Sequence, residues 1–346
     1  MAIRNPVVSV CVPTYNGSAF LAQTLQSIAA QTFEDYEVVI VDDNSTDDSV
    51  AVARRYAGSD PRVMLFEPSQ RAGSSARNAN RCLAHARGEW IKFIFQDDVM
   101  APHCLSSLLD ATRDGHRFAL SWHDYHFEAG VDDEARAFYE RLATLRTTLP
   151  GTYAAPEAFC EAVLANWCKN FLGPTSSSFI HRECFARYGA FSSEIVTFPD
   201  LEYWIRVGNN EGLAIAPEYL VTFRVHAKSI SAGLRNSRAS IYRNALERVL
   251  LCLNLAFAPE YAPMRAYVRA RTPALEVNEM LTKQAKGTRW LAIDAKYRND
   301  DLSLLEQWGD FVRVHPQVVA VLRDADRNQQ SLMERMKSFL SFGFKH

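Results

Sequence analysis

The stretch EVVIVDDNSTDDSVAVARRYA at residues 37–57 decides the fold. It opens with an apolar run typical of a strand buried on both faces, and it continues as a charged, helix-like segment. The same alternation recurs through the first hundred residues, where strands are predicted at 7–12, 37–43, 62–66 and 89–95 and helices at 19–31, 45–57 and 74–88. Strands that alternate with helices predict an α/β fold with a mostly parallel central sheet.

Two residues in this region are predicted to mark helix ends. Ser45 stands at the N-cap position of the 45–57 helix, with Asp48 three residues later as a shorter-armed variant of the capping box. Gly88 stands where a C′ glycine would end the 74–88 helix.

The rest of the chain is less regular. Residues 117–127 and 219–231 read as strands, residues 132–146 and 199–212 as helices, and residues 176–191 as a strand followed by a short helix that ends at Gly189. From about residue 235 the pattern is helical to the end, with a break at the prolines at 259 and 263. We therefore expect a boundary near residue 231, with a helical region over 232–346.

Composition excludes several classes of protein. The net charge of −2 gives no whole-chain basic field that would attract nucleic acid, and no nucleic-acid partner is expected. The seven cysteines are scattered and never form a CxxC pair, which argues against a disulfide framework and a structural zinc site and fits a reducing cytoplasm. The apolar stretch VLLCLNLAFA is far shorter than the ~20 residues of a membrane-spanning helix.

Polar residues follow three of the predicted strands. PTYNG (13–17) follows the first, DDNSTDD (42–48) the second and QDD (96–98) the fourth. Because ligands of open α/β sheets bind at the carboxyl ends of the strands, these tips predict one site built from three loops. No GxGxxG or GxxxxGK[ST] loop is present, whereas an acidic edge suits a nucleotide diphosphate held through Mg²⁺ or Mn²⁺.

Five segments in order then resemble the family 2 glycosyltransferases, which have the GT-A fold. They are VSVCVPTYNGSAFLAQTLQSIAAQTFEDYEVVIVDDNSTDDS, GSSARNANRCLAHARGEWIKFIFQDD, GPTSSSFIHRECFARYGAFSSEI, FPDLEYWIRV and FRVHAKSIS. The resemblance covers about residues 7–231. It implies a GT-A domain over 1–231, with a nucleotide-binding half at about 1–100 and an acceptor half at about 101–231.

The resemblance implies a nucleotide site at the first two strand tips. It places Pro13, Thr14 and Tyr15 near the base and ribose, and it gives Asp43 a hydrogen bond to the base. An aspartate that accepts from a pyrimidine N–H favours uracil or thymine, although guanine also offers N–H donors. Capping of the following helix is the alternative for Asp43. Arg77 matches the edge of the nucleotide site, or it is a solvated helix arginine.

The metal motif of the family is D-x-D, commonly within D-x-D-D, and here Phe95 replaces its first aspartate. The resemblance implies that Asp97 and Asp98 share the contacts to ribose and metal, with Asp98 on the metal and Asp97 on either. His226 is implied as a further metal ligand, or it is a hydrogen-bonded structural residue. The expected cofactor is Mn²⁺ or Mg²⁺.

FPDLEYWIRV resembles the motif that carries the catalytic base of the family, which implies that role for Asp200. Inverting transfer needs a carboxylate that takes the proton of the attacking hydroxyl, and the dipole at the start of a helix keeps it ionised. A plain N-cap is the alternative, and Pro199 replaces the usual glutamate. Arg224 and Lys228 are implied to pair with the diphosphate.

The expected activity is inverting transfer of a sugar from a UDP- or dTDP-linked donor to a hydroxyl of a saccharide or lipid-linked acceptor in cell-surface polysaccharide synthesis. The alternatives are a non-catalytic nucleotide-sugar-binding protein and a metal-dependent nucleotide-sugar hydrolase. The expected location is the cytoplasm or the inner face of the membrane. The last segment, SLMERMKSFLSFGFKH (331–346), has an apolar face that would contact a membrane, the main domain or a second subunit.

Overall fold

A mixed α/β unit followed by a helical unit makes up the chain in its computed structural model. The two compact units are Met1–Gly233 and Leu234–His346. The structure describes residues 4–227, 229, 238–271, 277–299 and 301–327. The mixed α/β prediction is confirmed.

The described part of the first unit contains a nine-stranded sheet. Its strands are β1 (Val8–Thr14), β2 (Tyr36–Asp42), β3 (Val63–Phe66), β4 (Trp90–Phe93), β5 (Val99–Met100), β6 (Phe118–Phe127), β7 (Tyr153–Ala154), β8 (Ser178–His181) and β9 (Leu213–Val225). Their order is β3-β2-β1-β4-β8-β6-β9-β5, and β7 pairs with β9. The first four strands are parallel, and β8 runs antiparallel between β4 and β6.

Helices cover this sheet and form the second unit. In the first unit they are α1 (Leu21–Ala29), α2 (Ser49–Ser59), α3 (Ser75–His85), α4 (Cys104–Ala111), α5 (Asp133–Thr144), α6 (Pro156–Ala165), α7 (Arg182–Tyr188) and α8 (Pro199–Glu211). In the second unit they include α9 (Arg238–Phe257), α10 (Ala262–Arg271), α11 (Val277–Asn299) and α12 (Ser303–Val314). None of the helices in the described ranges combines the length and apolar character that crossing a bilayer demands.

Burial explains why β1 and β2 form. Every residue of both strands is buried, as expected for central parallel strands with helices on both faces. Their register pairs Val8 with Tyr36 and Thr14 with Asp42, so the two strands end side by side. The loops after them therefore start from neighbouring points on one edge of the sheet.

The structure differs from the predicted boundaries in β9. The strand starts at Leu213, six residues before the predicted start at 219. Pro217 and Glu218 interrupt its apolar pattern, but the register against β6 shifts at this point, and an irregularity in the ladder tolerates a proline. The predicted strand therefore missed the half of β9 that precedes the irregularity.

Both predicted helix-end residues have other roles. Helix α2 begins at Ser49, and the Ser45 hydroxyl instead donates to Asp42 at 2.6 Å. Helix α3 ends at His85, and Gly88 instead lies against β1, where its N–H donates to the Ser9 hydroxyl at 2.7 Å. Both residues are used for contacts between elements, which local helix signals do not reveal.

We predict that Gly88→Ala lowers the Tm of the first unit. A Cβ at this position would lie 2.5 Å from the Ser9 backbone nitrogen and 2.7 Å from the Val8 carbonyl carbon, and a central strand cannot move away. Overpacking of this kind costs about 1–3 kcal/mol. Differential scanning calorimetry measures the change.

Gly58→Ala is the matched control. Nothing lies within 4 Å of a Cβ at Gly58, which is in the last turn of α2. Alanine there is expected to leave Tm unchanged or to raise it, since it gains up to about 1 kcal/mol of helix propensity. Equal Tm values for the two variants would contradict the proposed close approach at Gly88.

Candidate active site

Three loops meet at the carboxyl edge of the sheet, and hydrogen bonds tie the first two together. Asn16, with φ of 49°, donates its N–H to the Ser45 hydroxyl at 2.8 Å and accepts from the Thr46 N–H at 2.7 Å. The Gly17 N–H donates to the Ser49 hydroxyl at 2.8 Å. The backbone after β1 is therefore fixed by side chains that follow β2.

Gln96 ties the third loop to the first. Its side-chain oxygen accepts from the Tyr15 N–H at 2.6 Å, and its amide group donates to the Tyr15 carbonyl at 2.8 Å. Gly17 packs so closely on Gln96 that a Cβ would overlap its side chain. This residue lies between Phe95 and Asp97, so it positions the acidic tip relative to the loop after β1.

Of the three residues predicted near the base and ribose, only Tyr15 presents a side chain at the surface. Pro13 and Thr14 lie within β1 and are buried. Tyr15 is 36% exposed, and the Arg71 guanidinium stacks on its ring with Cζ 3.8 Å from the centroid. An aromatic ring backed by a cation offers a flat surface to a base.

Asp43 is held mainly by the segment after β3. Its buried carboxylate accepts from the N–H groups of Ala72 and Gly73, the latter at 3.1 Å. Arg81 donates to it at 3.1 Å, and Arg71 lies 3.8 Å away. The residue does not cap α2, whose first turn it does not contact through any described hydrogen bond.

Arg77 bridges two loops of the first unit. Its N–H donates to the Ser74 hydroxyl at 3.2 Å, which caps α3, and its guanidinium donates to the Ser193 carbonyl at 3.3 Å. The side chain is exposed. Arg77 therefore has a described contact to the protein, and its predicted contact to a nucleotide stays a prediction.

Asp98 is 1% exposed, and both of its carboxylate oxygens are used within the protein. The Ser176 hydroxyl donates to one oxygen, and the Arg224 backbone N–H donates to the other at 3.0 Å. Fully buried Lys92 donates to the Ser176 carbonyl. Burial, together with the charge of Asp97, raises the pKa of Asp98 well above its usual range, and burial lowers the pKa of Lys92.

Asp97 and His226 are brought together across the edge of the sheet. The Asp97 carboxylate lies 3.0 Å from His226 Nε2, and both side chains are partly exposed. The Phe20 ring packs on the imidazole with centroids 4.8 Å apart. Residues 129 positions apart in the sequence thus form one polar pair beside the loop after β1.

A divalent cation fits this pair only with ligands from elsewhere. No group of three His, Cys, Asp or Glu side chains in the described part of the chain is placed to hold a metal. Each oxygen of Asp98 already accepts one hydrogen bond, from Ser176 or from Arg224, and its predicted contact to the metal stays a prediction. Asp97 and His226 offer two ligands, and Mg²⁺ or Mn²⁺ commonly takes one or two protein ligands and completes its shell with phosphate oxygens and water.

Arg224 is bonded within the protein, and its predicted contact to the diphosphate stays a prediction. It is 8% exposed, and its guanidinium donates to Glu128, to Gln23 at 2.6 Å and to the Asp97 carbonyl at 3.0 Å. Through the last of these bonds, Arg224 stabilises the backbone at Asp97. Lys228, the other predicted diphosphate contact, lies outside the described residues.

Asp200 lies in the first turn of α8, after Pro199 at the first position. Its carboxylate accepts from the Asn170 side-chain amide at 3.0 Å and from the Leu201 N–H at 2.9 Å. Burial raises the pKa of Asp200 to about 6, although these two hydrogen bonds lower it. A carboxylate with a pKa near 6 is a competent general base at neutral pH.

Glu202 and Trp204 belong to the packing of α8. Glu202 pairs with Arg206 at 2.9 Å in the interior, and the Trp204 indole donates to the Gly173 carbonyl at 3.3 Å. Both side chains therefore stabilise the position of α8 within the first unit.

Several residues of the site carry no sequence signal of their own. Gln96, Asn170 and Ser176 are recognisable only from their partners, which lie 30 to 81 positions away. The segment GPTSSSF (173–179) contains Ser176 and predicts a polar loop, but not its bond to Asp98. The positions of such residues depend on tertiary contacts.

Solved structures show which fold the protein has. Staphylococcus aureus TarS, crystallised with UDP-GlcNAc, superposes with a TM-score of 0.59 at 18% identity over 91% of this chain and 83% of that one. A mannosyltransferase from Pyrobaculum calidifontis, in complex with GDP-Man and Mn²⁺, gives 0.53 at 20% identity over 94% and 87%. The fold is the GT-A fold of glycosyltransferases, as predicted.

Sequence comparison matches part of the chain to a family. Residues 9–164, a little under half of the chain, match the sequence model of glycosyl transferase family 2. An uncharacterized protein of Mycobacterium tuberculosis is 29% identical over 70% of this chain and 73% of its own length. The GalNAc(5)-diNAcBac-PP-undecaprenol β-1,3-glucosyltransferase of Campylobacter jejuni is 33% identical over 32% of this chain, which spans only 36% of that relative.

We predict that Gln96→Ala speeds amide hydrogen exchange in the loop after β1. The substitution removes the acceptor of the Tyr15 N–H and the donor to the Tyr15 carbonyl, and opening free energies fall when such bonds are lost. Mass spectrometry of a peptide that spans residues 13–18 measures the rate. Gln70→Ala, at an exposed position nearby, should leave it unchanged. Equal exchange in the wild type and Gln96→Ala would show that Gln96 does not hold this loop.

Proposed function

We propose that the protein transfers a sugar, with inversion, from a UDP- or dTDP-linked donor to a hydroxyl of a saccharide or lipid-linked acceptor in cell-surface polysaccharide synthesis. The observation that carries the proposal is that one loop, residues 170–176, holds both Asp200 and the acidic tip. Asn170 holds Asp200, and Ser176, six residues later, holds Asp98 beside Asp97. The carboxylate proposed to activate the acceptor hydroxyl is therefore linked by one loop to the carboxylates proposed for the nucleotide-sugar donor.

On the donor side, Tyr15 and Asp43 are proposed to receive the base. An ionised carboxylate has about four acceptor positions. Asp43 uses three for Ala72, Gly73 and Arg81, which leaves one for a base N–H. The exposed Tyr15 ring, stiffened by Gln96, is proposed to pack on the base or ribose. The UDP-GlcNAc bound to the solved TarS structure supports a uridine nucleotide.

Asp97 and His226 are proposed to hold Mn²⁺ or Mg²⁺ together with the diphosphate. The bound cation would neutralise charge on the departing nucleoside diphosphate. The donor set of one carboxylate and one imidazole leaves most coordination positions for phosphate and water. The Mn²⁺ in the Pyrobaculum mannosyltransferase structure supports a cation in this fold.

On the acceptor side, Asp200 is proposed to take the proton of the attacking hydroxyl. The oxygen then attacks the anomeric carbon of the donor from the face opposite the diphosphate, so the configuration inverts. The Asn170 amide and the Leu201 N–H fix the carboxylate in the first turn of α8. Residues 1–100 would thus bind the donor and residues 101–231 the acceptor.

The second unit is proposed to hold the enzyme at the inner face of the membrane or against a second copy. Helix α11 exposes Trp290 and Tyr297 on one side, with Lys286 and Arg289 in the turns before them. Exposed aromatic and cationic side chains suit a lipid headgroup surface. The Campylobacter relative is named for a lipid-linked acceptor, which supports such a location. The segment 331–346 lies outside the described residues.

Asp200→Asn tests the proposal. The full-length protein is incubated with Mn²⁺, a panel of UDP- and dTDP-sugars and candidate acceptors, and release of the nucleoside diphosphate is measured. We expect kcat to fall about 10²–10⁴-fold, because the amide cannot accept the proton. The affinity for UDP, measured by calorimetry, should stay the same. Asp114→Asn, which changes an exposed carboxylate, should retain full activity.

Each rival function has its own outcome in this assay. Equal turnover by the wild type and Asp200→Asn would refute the role of Asp200. Nucleotide binding without turnover of any donor would indicate a binding protein. A rate without acceptor that matches the best rate with acceptor would indicate a hydrolase.

The pH dependence gives a separate prediction. Because the pKa of Asp200 is raised to about 6, the base is protonated below this pH, and kcat should rise as pH increases through about 6. Asn170→Ala removes a hydrogen bond that lowers this pKa, so the rise should move to higher pH. A pH–rate profile of both proteins with saturating donor measures the shift. An unchanged or lower midpoint in Asn170→Ala would contradict the assignment.

A further inference from the structure

Three arginines of the first unit are more than nine-tenths buried, and they differ in their counter-charges. Arg206, 9% exposed, pairs with Glu202, and Arg224, 8% exposed, pairs with Glu128. Arg146, 7% exposed, forms no ion pair with a carboxylate of the described residues. A buried charge without a partner is costly, so Arg146 calls for an explanation.

The described contacts of Arg146 leave its Nε–H without a partner. Its guanidinium donates to the His123 carbonyl at 3.0 Å, to His123 Nε2 and to the Tyr125 hydroxyl at 3.4 Å. The Nε–H is buried and has no hydrogen-bond partner among the described residues. An unpaired buried donor on an unpaired buried cation points to an anion that binds there.

The imidazole of His123 is neutral, so it orients the Arg146 guanidinium without neutralising its charge. Burial and the adjacent guanidinium both lower the pKa of His123, so it accepts through Nε2 and donates from Nδ1 to the Ser177 hydroxyl at 3.1 Å. The other groups that face the guanidinium are aromatic. They include Trp122 and Tyr125, whose ring centroids lie 5.8 Å and 5.7 Å from its Cζ.

Both rings are partly exposed, which gives the cluster an edge toward solvent. Aromatic faces with a few converging polar groups are the usual composition of a small-molecule site. A sugar ring can pack on such faces while its anionic substituent meets the guanidinium. The combination therefore favours a charged sugar over an isolated inorganic ion.

The cluster lies directly behind the loop that holds Asp200. Ser177 and Gly173 both touch His123, and a Cβ on Gly173 would lie 2.5 Å from the imidazole. The Gly173 N–H donates to Asn170, which holds Asp200. A ligand at Arg146 is thus separated from the proposed base by one loop of the acceptor half.

We propose that Arg146, with His123, Trp122 and Tyr125, forms a subsite for an oxyanion carried by a saccharide substrate, either the carboxylate of a uronic acid or a sugar phosphate. The subsite rests on the proposed function in one respect only, because the bound sugar is taken to be part of a substrate of the transfer. The guanidinium offers its buried Nε–H to an oxygen of the anion, and the bond is charge-assisted.

Binding of free charged sugars tests the subsite without catalysis. The full-length protein is titrated with glucuronate, glucose 6-phosphate and glucose at matched ionic strength, and Tm and calorimetric affinity are measured. We expect a saturable rise in Tm with glucuronate, with glucose 6-phosphate or with both, and none with glucose. The responsive sugar identifies the source of the oxyanion. No rise with either charged sugar would overturn the proposal.

Two variants assign the binding to Arg146. Arg146→Gln should lower the affinity for the charged sugar that raises Tm about tenfold or more, because a charge-assisted pair is lost. Arg141→Gln, in the last turn of α5, removes an exposed arginine and should bind like the wild type. If Arg146→Gln does not fold, Arg146→Lys keeps the charge without the planar fork, and it should also weaken binding. Wild-type affinity in the folded variant would refute the subsite.

This result is independent of the test on Asp200. If Asp200→Asn loses turnover and no charged sugar binds, the proposed transfer is supported and the subsite is refuted. Charged-sugar binding that depends on Arg146 in a protein without transferase activity would do the reverse.

Discussion

The carboxylate of Asp98 imposes the constraint on which the site depends. A buried carboxylate needs donors on both oxygens, since an unsatisfied charge in the interior is costly. Its donors are the Ser176 hydroxyl and the Arg224 N–H, so the loop before β8 and the end of β9 are drawn onto the tip of β4. That arrangement places His226, two residues beyond Arg224, against Asp97. The internal use of one aspartate thereby leaves the other for a ligand.

The same constraint explains which parts of the site could be predicted. The strands and helices of the first hundred residues follow from apolar runs and turn residues that act locally, and their positions differ from prediction by a few residues. Asp97, His226 and Asp200 lie in recognisable motifs. The internal bonds of Asp98 and Arg224 could not be predicted, because a motif shows that a residue type is present but not whether its oxygens or donors are already used. Lys92 and Gln96 act only through distant partners, so local patterns carry no information on them.

The carboxylates of the site differ through their surroundings rather than their residue type. Asp43 and Asp98 are both enclosed by protein donors, whereas Asp97 is partly exposed beside an imidazole. Asp200 is desolvated but keeps only two hydrogen bonds, which leaves its pKa near 6. Burial also raises the pKa of Asp98, so desolvation, and not the hydrogen bonds alone, decides how strong a base each of these two carboxylates is. A pKa near 6 suits Asp200 to the role of general base that is proposed for it.

The loop from Asn170 to Ser177 joins these environments, which has a consequence for catalysis. Asn170 contacts the proposed base, Ser176 the acidic tip and Ser177 the cluster around Arg146. A displacement of this short segment would change all three contacts, since its polar side chains point to different parts of the first unit. Lys92 opposes such a displacement by donating to the Ser176 carbonyl from within β4, where burial on all sides holds the ammonium in place. The buried lysine, which has no position in any motif, therefore helps to keep Asp98 and the proposed base Asp200 in a fixed relation.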